Sequence, residues 1–171
     1  MTGKLEDEVI SINGNVDKQV MQKAIKRARE TMNQDLGGPF GAAIIDKEGN
    51  VLSIASNSVL ADADPSAHAE INAIRKAGKS IGTHDLSGCT LYTTAYPCPM
   101  CLGATIWANI KTVIYGCRPE DADAIGFRDD FIYDFFRKNK EDESILITRE
   151  AYREECLELF REYKDKNKQL Y

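Results

Sequence analysis

Apolar positions recur along the chain with different periods in different blocks. Val20, Met21, Ala24, Ile25, Ala28 and Met32 fall at helical spacing with Lys and Arg between them. This predicts an amphipathic helix that starts at Asp17, a suitable N-cap, and stops before Gly37-Gly38-Pro39. Residues 1–16 hold only scattered apolar positions and read as an N-terminal lead-in. Phe40 to Ile45 and Val51 to Ser56 are short apolar runs around Asp46-Lys47-Glu48-Gly49-Asn50, a segment of turn composition, and predict a β-hairpin. Asp64 and Pro65 supply a cap and a first-turn proline for a second helix reaching about Ala77, with Gly78 behind it. Cys89 to Thr94 reads as a strand, Pro97 to about Asn109 as a helix and Lys111 to Tyr115 as a strand, which is the spacing of a right-handed βαβ crossover. The order α-β-β-α-β-α-β argues for a mixed sheet with helices packed on it.

After Pro119 the pattern changes. Phe127, Phe131, Ile132, Tyr133, Phe135 and Phe136 cluster among acids, a charged stretch runs from Arg137 to Glu143, and a last helix is predicted from about Glu150 to Tyr163. Aromatic residues make up only 8% of the chain, so their concentration here means that the tail must bury against its own domain or a partner subunit.

At 171 residues the chain fits one domain, against a prior of about 150 residues per domain. The net charge of −5 offers no basic field to a phosphate backbone, so nucleic acid is not the default partner. No stretch approaches the roughly 18 apolar residues of a membrane span. The acidic start, with Glu6, Asp7 and Glu8, is unlike a signal peptide, so the expected location is cytoplasmic. Five cysteines do not suit a closed disulfide framework and read better as reduced thiols or metal ligands.

Two segments carry chemistry. His68-Ala69-Glu70 sits at the start of one predicted helix and Pro97-Cys98-Pro99-Met100-Cys101 opens another, with 29 residues between His68 and Cys98. One imidazole and two thiolates suit zinc, and three protein ligands leave the fourth tetrahedral position to water, as in a catalytic site. A lone Cys-x-x-Cys arises by chance in such a chain about one time in ten and also fits a redox pair or a structural-zinc module. The preceding His-x-Glu makes coincidence improbable. His84, Cys89, Cys117 and Cys156 form no second ligand pair and read as buried small side chains or surface residues, and Trp107 reads as core. Glu70 is unsuited to be a fourth ligand, which would close the open position, but it stands near enough to shuttle protons between water, a ring nitrogen and a departing amino group.

At these residues the sequence resembles the cytidine deaminase superfamily, and within it the bacterial guanine deaminases. The resemblance covers roughly residues 17 to 171. It rests on Gly37-Gly38-Pro39-Phe40-Gly41-Ala42, Asp64 to Glu70, Pro97 to Ala104 and Gly126-Phe127 through Asp129-Asp130-Phe131-Ile132-Tyr133. It implies a cytidine deaminase-like three-layer α-β-α sandwich with a mixed five-stranded sheet, one zinc per chain on His68, Cys98 and Cys101, and catalysis by Glu70. It further implies that Phe40 stacks on the base, Asn57 bonds its carbonyl edge and the Ala69 amide assists. Asp129, or its neighbour Asp130, and Tyr171 would come from a partner chain, because residues 119–171 would be exchanged in a domain-swapped homodimer. The sequence departs from the pattern at Tyr96 and Arg128, which stand where such deaminases more often have acids. The implied reaction is hydrolysis of guanine to xanthine and ammonia. Cytosine or aminotriazine deamination is the alternative, followed by tRNA adenosine deamination, which needs a basic groove.

Overall fold

The computed structural model describes residues 14–170, with side chains from Lys18 onward. Most of the expected lead-in, and Tyr171, therefore lie outside the described residues. Helix α1 spans Gly14–Met32, so the helix begins before Asp17, the expected start. Strands β1 (Gly41–Ile45) and β2 (Val51–Ser56) form the predicted antiparallel hairpin. Its turn is closed by the Asp46 carboxylate, which accepts the N–H groups of Glu48 and Asn50 at 3.0 and 2.8 Å.

A short helix α2 (Val59–Asp62), not expected from the sequence, comes next. Helix α3 spans Ala69–Ile81 and begins later than Asp64-Pro65 predicts. The Asp64 carboxylate accepts both the backbone N–H and the hydroxyl of Ser66, at 2.8 and 2.7 Å. This local turn consumes the cap without starting a helix. His68, in extended backbone at φ −69° and ψ 156°, takes the N-cap position instead. The stop is also later than expected: Gly82 ends α3 in the left-handed region at φ 73°, and Gly78 lies within the helix. A Cβ on Gly78 would stand 2.9 Å from the Thr83 carbonyl oxygen.

Strand β3 (Thr90–Ala95), helix α4 (Pro99–Trp107) and strand β4 (Thr112–Cys117) follow, with β3 and β4 parallel. The sheet order is β2-β1-β3-β4. Side chains alternate across it. Ala42 and Ile44 pack with Ala69, Ala73 and Ala77 of α3, while Ala43 and Ile45 pack with Val20 and Ala24 of α1. These are the three layers expected. The expected fifth strand is absent among the described residues. Pro119 opens helix α5 (Pro119–Asp123) two residues after β4, and the aromatic stretch beyond forms helix α6 (Asp130–Arg137), not a strand. Trp107, expected in the core, is 77% exposed at the last position of α4.

The chain divides into two compact units, one up to Asp130 and one from Phe131. The second holds most of α6 and the C-terminal helix α7 (Arg153–Asp165). Phe135 is buried, while Phe136, Leu159, Phe160 and Leu170 stay more than half exposed. No helix among the described residues is long and apolar enough to cross a membrane.

In the first unit the layers meet at Gly41, where an added Cβ would overlap the carbonyl oxygen of Ala24 in α1. Gly41→Ala should therefore push α1 from the sheet and cost about 1–3 kcal/mol. Urea unfolding would show this as a lower midpoint at unchanged slope.

Candidate active site

The two chemistry-bearing segments meet because both open helices on adjoining elements. His68 is the N-cap of α3 and Cys98 the N-cap of α4, with Cys101 one turn further in. Nδ1 of His68 lies 3.5 Å from Sγ of Cys98 and 3.6 Å from Sγ of Cys101, and the three ligand atoms fall within 4.8 Å of one another. In a tetrahedral zinc site, with Zn–S near 2.3 Å and Zn–N near 2.0–2.1 Å, neighbouring ligand atoms stand about 3.4–3.8 Å apart. The imidazole is thus already at zinc-site spacing from both sulfurs.

The electrostatics suit a cation. A hydrogen bond from Cys101, helped by His68, lowers the Cys98 thiol to about 4, against the opposing effect of burial. The Cys98 thiolate in turn raises Cys101, with burial adding to it. His68 is raised, first by its hydrogen bond to Cys98. Glu70 is buried in the first turn of α3. A helix N-terminus stabilises a carboxylate by at most about 2 kcal/mol. Burial outweighs such help here, and the Glu70 carboxyl is raised above its ordinary value with desolvation as the largest cause. Its Oε1 is 3.1 Å from the Thr93 hydroxyl and its Oε2 is 3.5 Å from Sγ of Cys101.

Beside these groups opens a cavity of about 600 Å3, lined among others by Phe40, Asn57, Tyr96, Phe127 and Asp129 together with His68, Glu70 and Cys98. Phe40 and Phe127 meet edge to face, with ring centroids 4.9 Å apart. Asn57 is buried, and its Oδ1 accepts the N–H groups of Gly38 and Val59 at 3.1 and 3.2 Å. An added Cβ on Gly37 would collide with that Oδ1, so glycine is needed there for the loop to close on Asn57.

Residues 15–117 match the cytidine and deoxycytidylate deaminase zinc-binding region. The chain belongs to this deaminase family. Guanine deaminase of Bacillus subtilis is 46% identical to the deaminase over 125 residues, 73% of this chain and 80% of that protein. The X-ray structure of guanine deaminase from Bacillus subtilis aligns with a TM-score of 0.83 at 40% identity, over 90% of this chain and 98% of that one. A tRNA-specific adenosine deaminase of Haemophilus influenzae is 32% identical over 87% of this chain and 83% of its own length. The deaminase has a cytidine deaminase-like α/β fold and is a zinc-dependent aminohydrolase, with His68, Cys98 and Cys101 fitting the metal.

Of the residues singled out in the sequence, His68, Glu70, Cys98, Phe40, Asn57 and Asp129 line one cavity, and Cys101 completes the metal cluster beside it. Ala69 is fully buried and packs into the core with Ala42 and Ile44. Asp129, expected from a partner chain, lies in its own chain's cavity, where burial and the Cys98 thiolate raise its carboxyl. The reason is local: α5 turns the chain back after β4, so that 127–129 face the cavity. Asp130, the alternative, pairs with Arg128 at 2.7 Å. Cys89 is buried, Cys117 and Cys156 are exposed, and neither they nor His84 join the metal cluster. The sequence reading missed Thr93, Phe127 and Tyr96 as site residues. Two consecutive threonines in a largely buried strand were the available signal for the first.

Because one imidazole and two thiols make up the ligand set, His68→Ala or Cys98→Ala should remove most of the zinc and all activity. Glu70→Gln should keep one zinc per chain while kcat falls by about 100-fold or more. Metal analysis alongside ammonia release separates the two outcomes, and zinc loss in Glu70→Gln would make that carboxyl a ligand.

Proposed function

We propose that the deaminase acts on a free nucleobase, guanine, releasing xanthine and ammonia. The observation that carries this reading is the polar lining of the cavity. Both backbone bonds to Asn57 fall on Oδ1, so the amide presents NH2 to a ligand and selects a base with a carbonyl at that edge. Asp129, an acceptor, complements the ring N–H groups of guanine. Phe40 stacks on the ring and Phe127 braces it. The likeness to Bacillus subtilis guanine deaminase supports the same substrate.

A zinc ion held by His68, Cys98 and Cys101 supplies the Lewis acidity that makes water nucleophilic near neutral pH. Glu70 would take one proton of the attacking water and deliver it to the adjacent ring nitrogen. It would then take the second proton from the hydroxyl added to the ring carbon and pass it to the amino group, which leaves as ammonia while that oxygen becomes the product carbonyl. A buried carboxyl raised above its ordinary value is suited to both halves of that cycle. The Ala69 amide, between ligand His68 and Glu70, assists at the same face.

The partner is a second copy of the chain. The second unit exposes Phe136, Leu159, Phe160 and Leu170, apolar surface that exchange between subunits would bury. Since 119–130 belongs with its own chain's cavity, the exchanged segment begins near residue 131 and carries Tyr171 over the neighbouring site. The five free thiols suit a reducing cytoplasm.

Ammonia release should be found with guanine, and be much weaker with guanosine, cytosine, cytidine, adenine, ammeline and a tRNA anticodon stem-loop. Turnover of the stem-loop with every free base inert would replace this reading with RNA editing.

Exchange is checked by complementation. A full-length Glu70→Gln chain and a chain ending at Asp165 should each be slow alone, and refolded together should recover towards half of wild-type activity per mixed dimer. Confirmed heterodimers without recovery would mean that each chain closes its own site.

A further inference from the structure

Glu70 must keep its carboxyl in one place while it takes and gives protons, and the element that offers this control is β3. Thr93 is almost fully buried on that strand, which is hydrogen-bonded on both sides, with Ala42 as its partner in β1 and Tyr115 in β4. It shares the sheet face of Ala42, the side on which α3 packs. Its hydroxyl stands 3.1 Å from Oε1 of Glu70 and 3.0 Å from the carbonyl oxygen of Ala95.

We infer that Thr93 is a positioning residue for the reaction, holding the Glu70 carboxyl against the metal cluster through its hydroxyl. A hydroxyl has one proton to give and lone pairs to accept with. Pointed at Oε1, it donates to a carboxylate. Turned to Ala95, it accepts from a carboxylic acid without the oxygen having to move. An amide N–H or an ammonium in the same place would serve only one of these forms. The methyl group of Thr93 fixes the rotamer, and a central strand is a more rigid support than a loop.

The inference rests on Glu70 as the proton carrier, which Glu70→Gln tests independently. The experiment compares Thr93→Val and Thr93→Ser with wild type, using zinc content and steady-state ammonia release from guanine, or from whichever base in the panel wild type turns over. Thr93→Val keeps the volume and removes the hydroxyl. It should hold one zinc per chain, leave KM within about threefold and lower kcat by about 10–100-fold, the usual scale for a residue that orients a site group. Thr93→Ser should restore kcat to within about threefold of wild type, and Thr93→Val added to Glu70→Gln should slow the enzyme no further. If Val does not fold, Thr93→Ala makes the same comparison with Ser. The inference is overturned by a Val variant within twofold of wild type in kcat, by a Ser variant as slow as Val, by loss of zinc, or by an undiminished effect in the Glu70→Gln background. A wild type inactive on guanine but active on another base would overturn the substrate and leave the Thr93 comparison intact.

Discussion

Two helix N-termini must end within a few ångströms of each other over one face of a sheet, and the rest of the molecule serves that distance. His68 caps α3 and Cys98 caps α4, so the spacing of the ligand atoms is set by how closely these helices approach the strands. Small side chains allow the approach. Ala42 and Ala55 on the sheet and Ala69, Ala73 and Ala77 on α3 are all fully buried. The three helical alanines lie four residues apart, a single stripe that lets the backbone settle onto the strands. A larger residue in that stripe would cost about 1–3 kcal/mol and move the helix. A shift of an ångström would spoil the 3.5 and 3.6 Å spacing of the imidazole and the sulfurs.

Close packing brings its own electrostatic cost, since four ionisable groups are crowded where water is scarce. They offset one another in part. The Cys98 thiolate is favoured by its hydrogen bonds, and the one it shares with His68 raises the imidazole, with the thiolate charge adding to that. Glu70 stays raised because burial dominates and that thiolate adds to it, against the hydrogen bond from Thr93 and the charge of His68. The result is a cluster that calls for a divalent cation and a carboxyl that binds a proton more readily than an exposed one does.

The legible parts of the sequence were those whose physics is local. The hairpin follows from Asp46 and Gly49 closing a short turn, and the ligand set from thiol and imidazole spacing at helix starts. Elements decided by competition were misplaced. Asp64 has the chemistry of an N-cap, yet spends it on Ser66, so α3 begins five residues later than Asp64. Trp107 is apolar, but it falls at the end of α4 and faces outward. Periodicity does not encode which chain supplies Asp129, because that depends on how α5 redirects the backbone. Thr93 was missed for the same reason: paired threonines mark the strand, but the hydroxyl matters only once tertiary packing brings Glu70 beside it.

The cavity is lined by several stretches of chain, and two of them differ in how they are tied to the core. The groups that hold the metal and move protons all lie between His68 and Cys101, on elements locked into the sheet. Much of the opposite wall, Pro119, Ala122, Phe127, Arg128 and Asp129, comes from one short exposed segment beyond the last strand. Substitutions there leave the core packing alone, so they are cheap in stability. A lineage can therefore keep its hydrolytic machinery unchanged and drift from one aminated heterocycle to another by rewriting about a dozen residues.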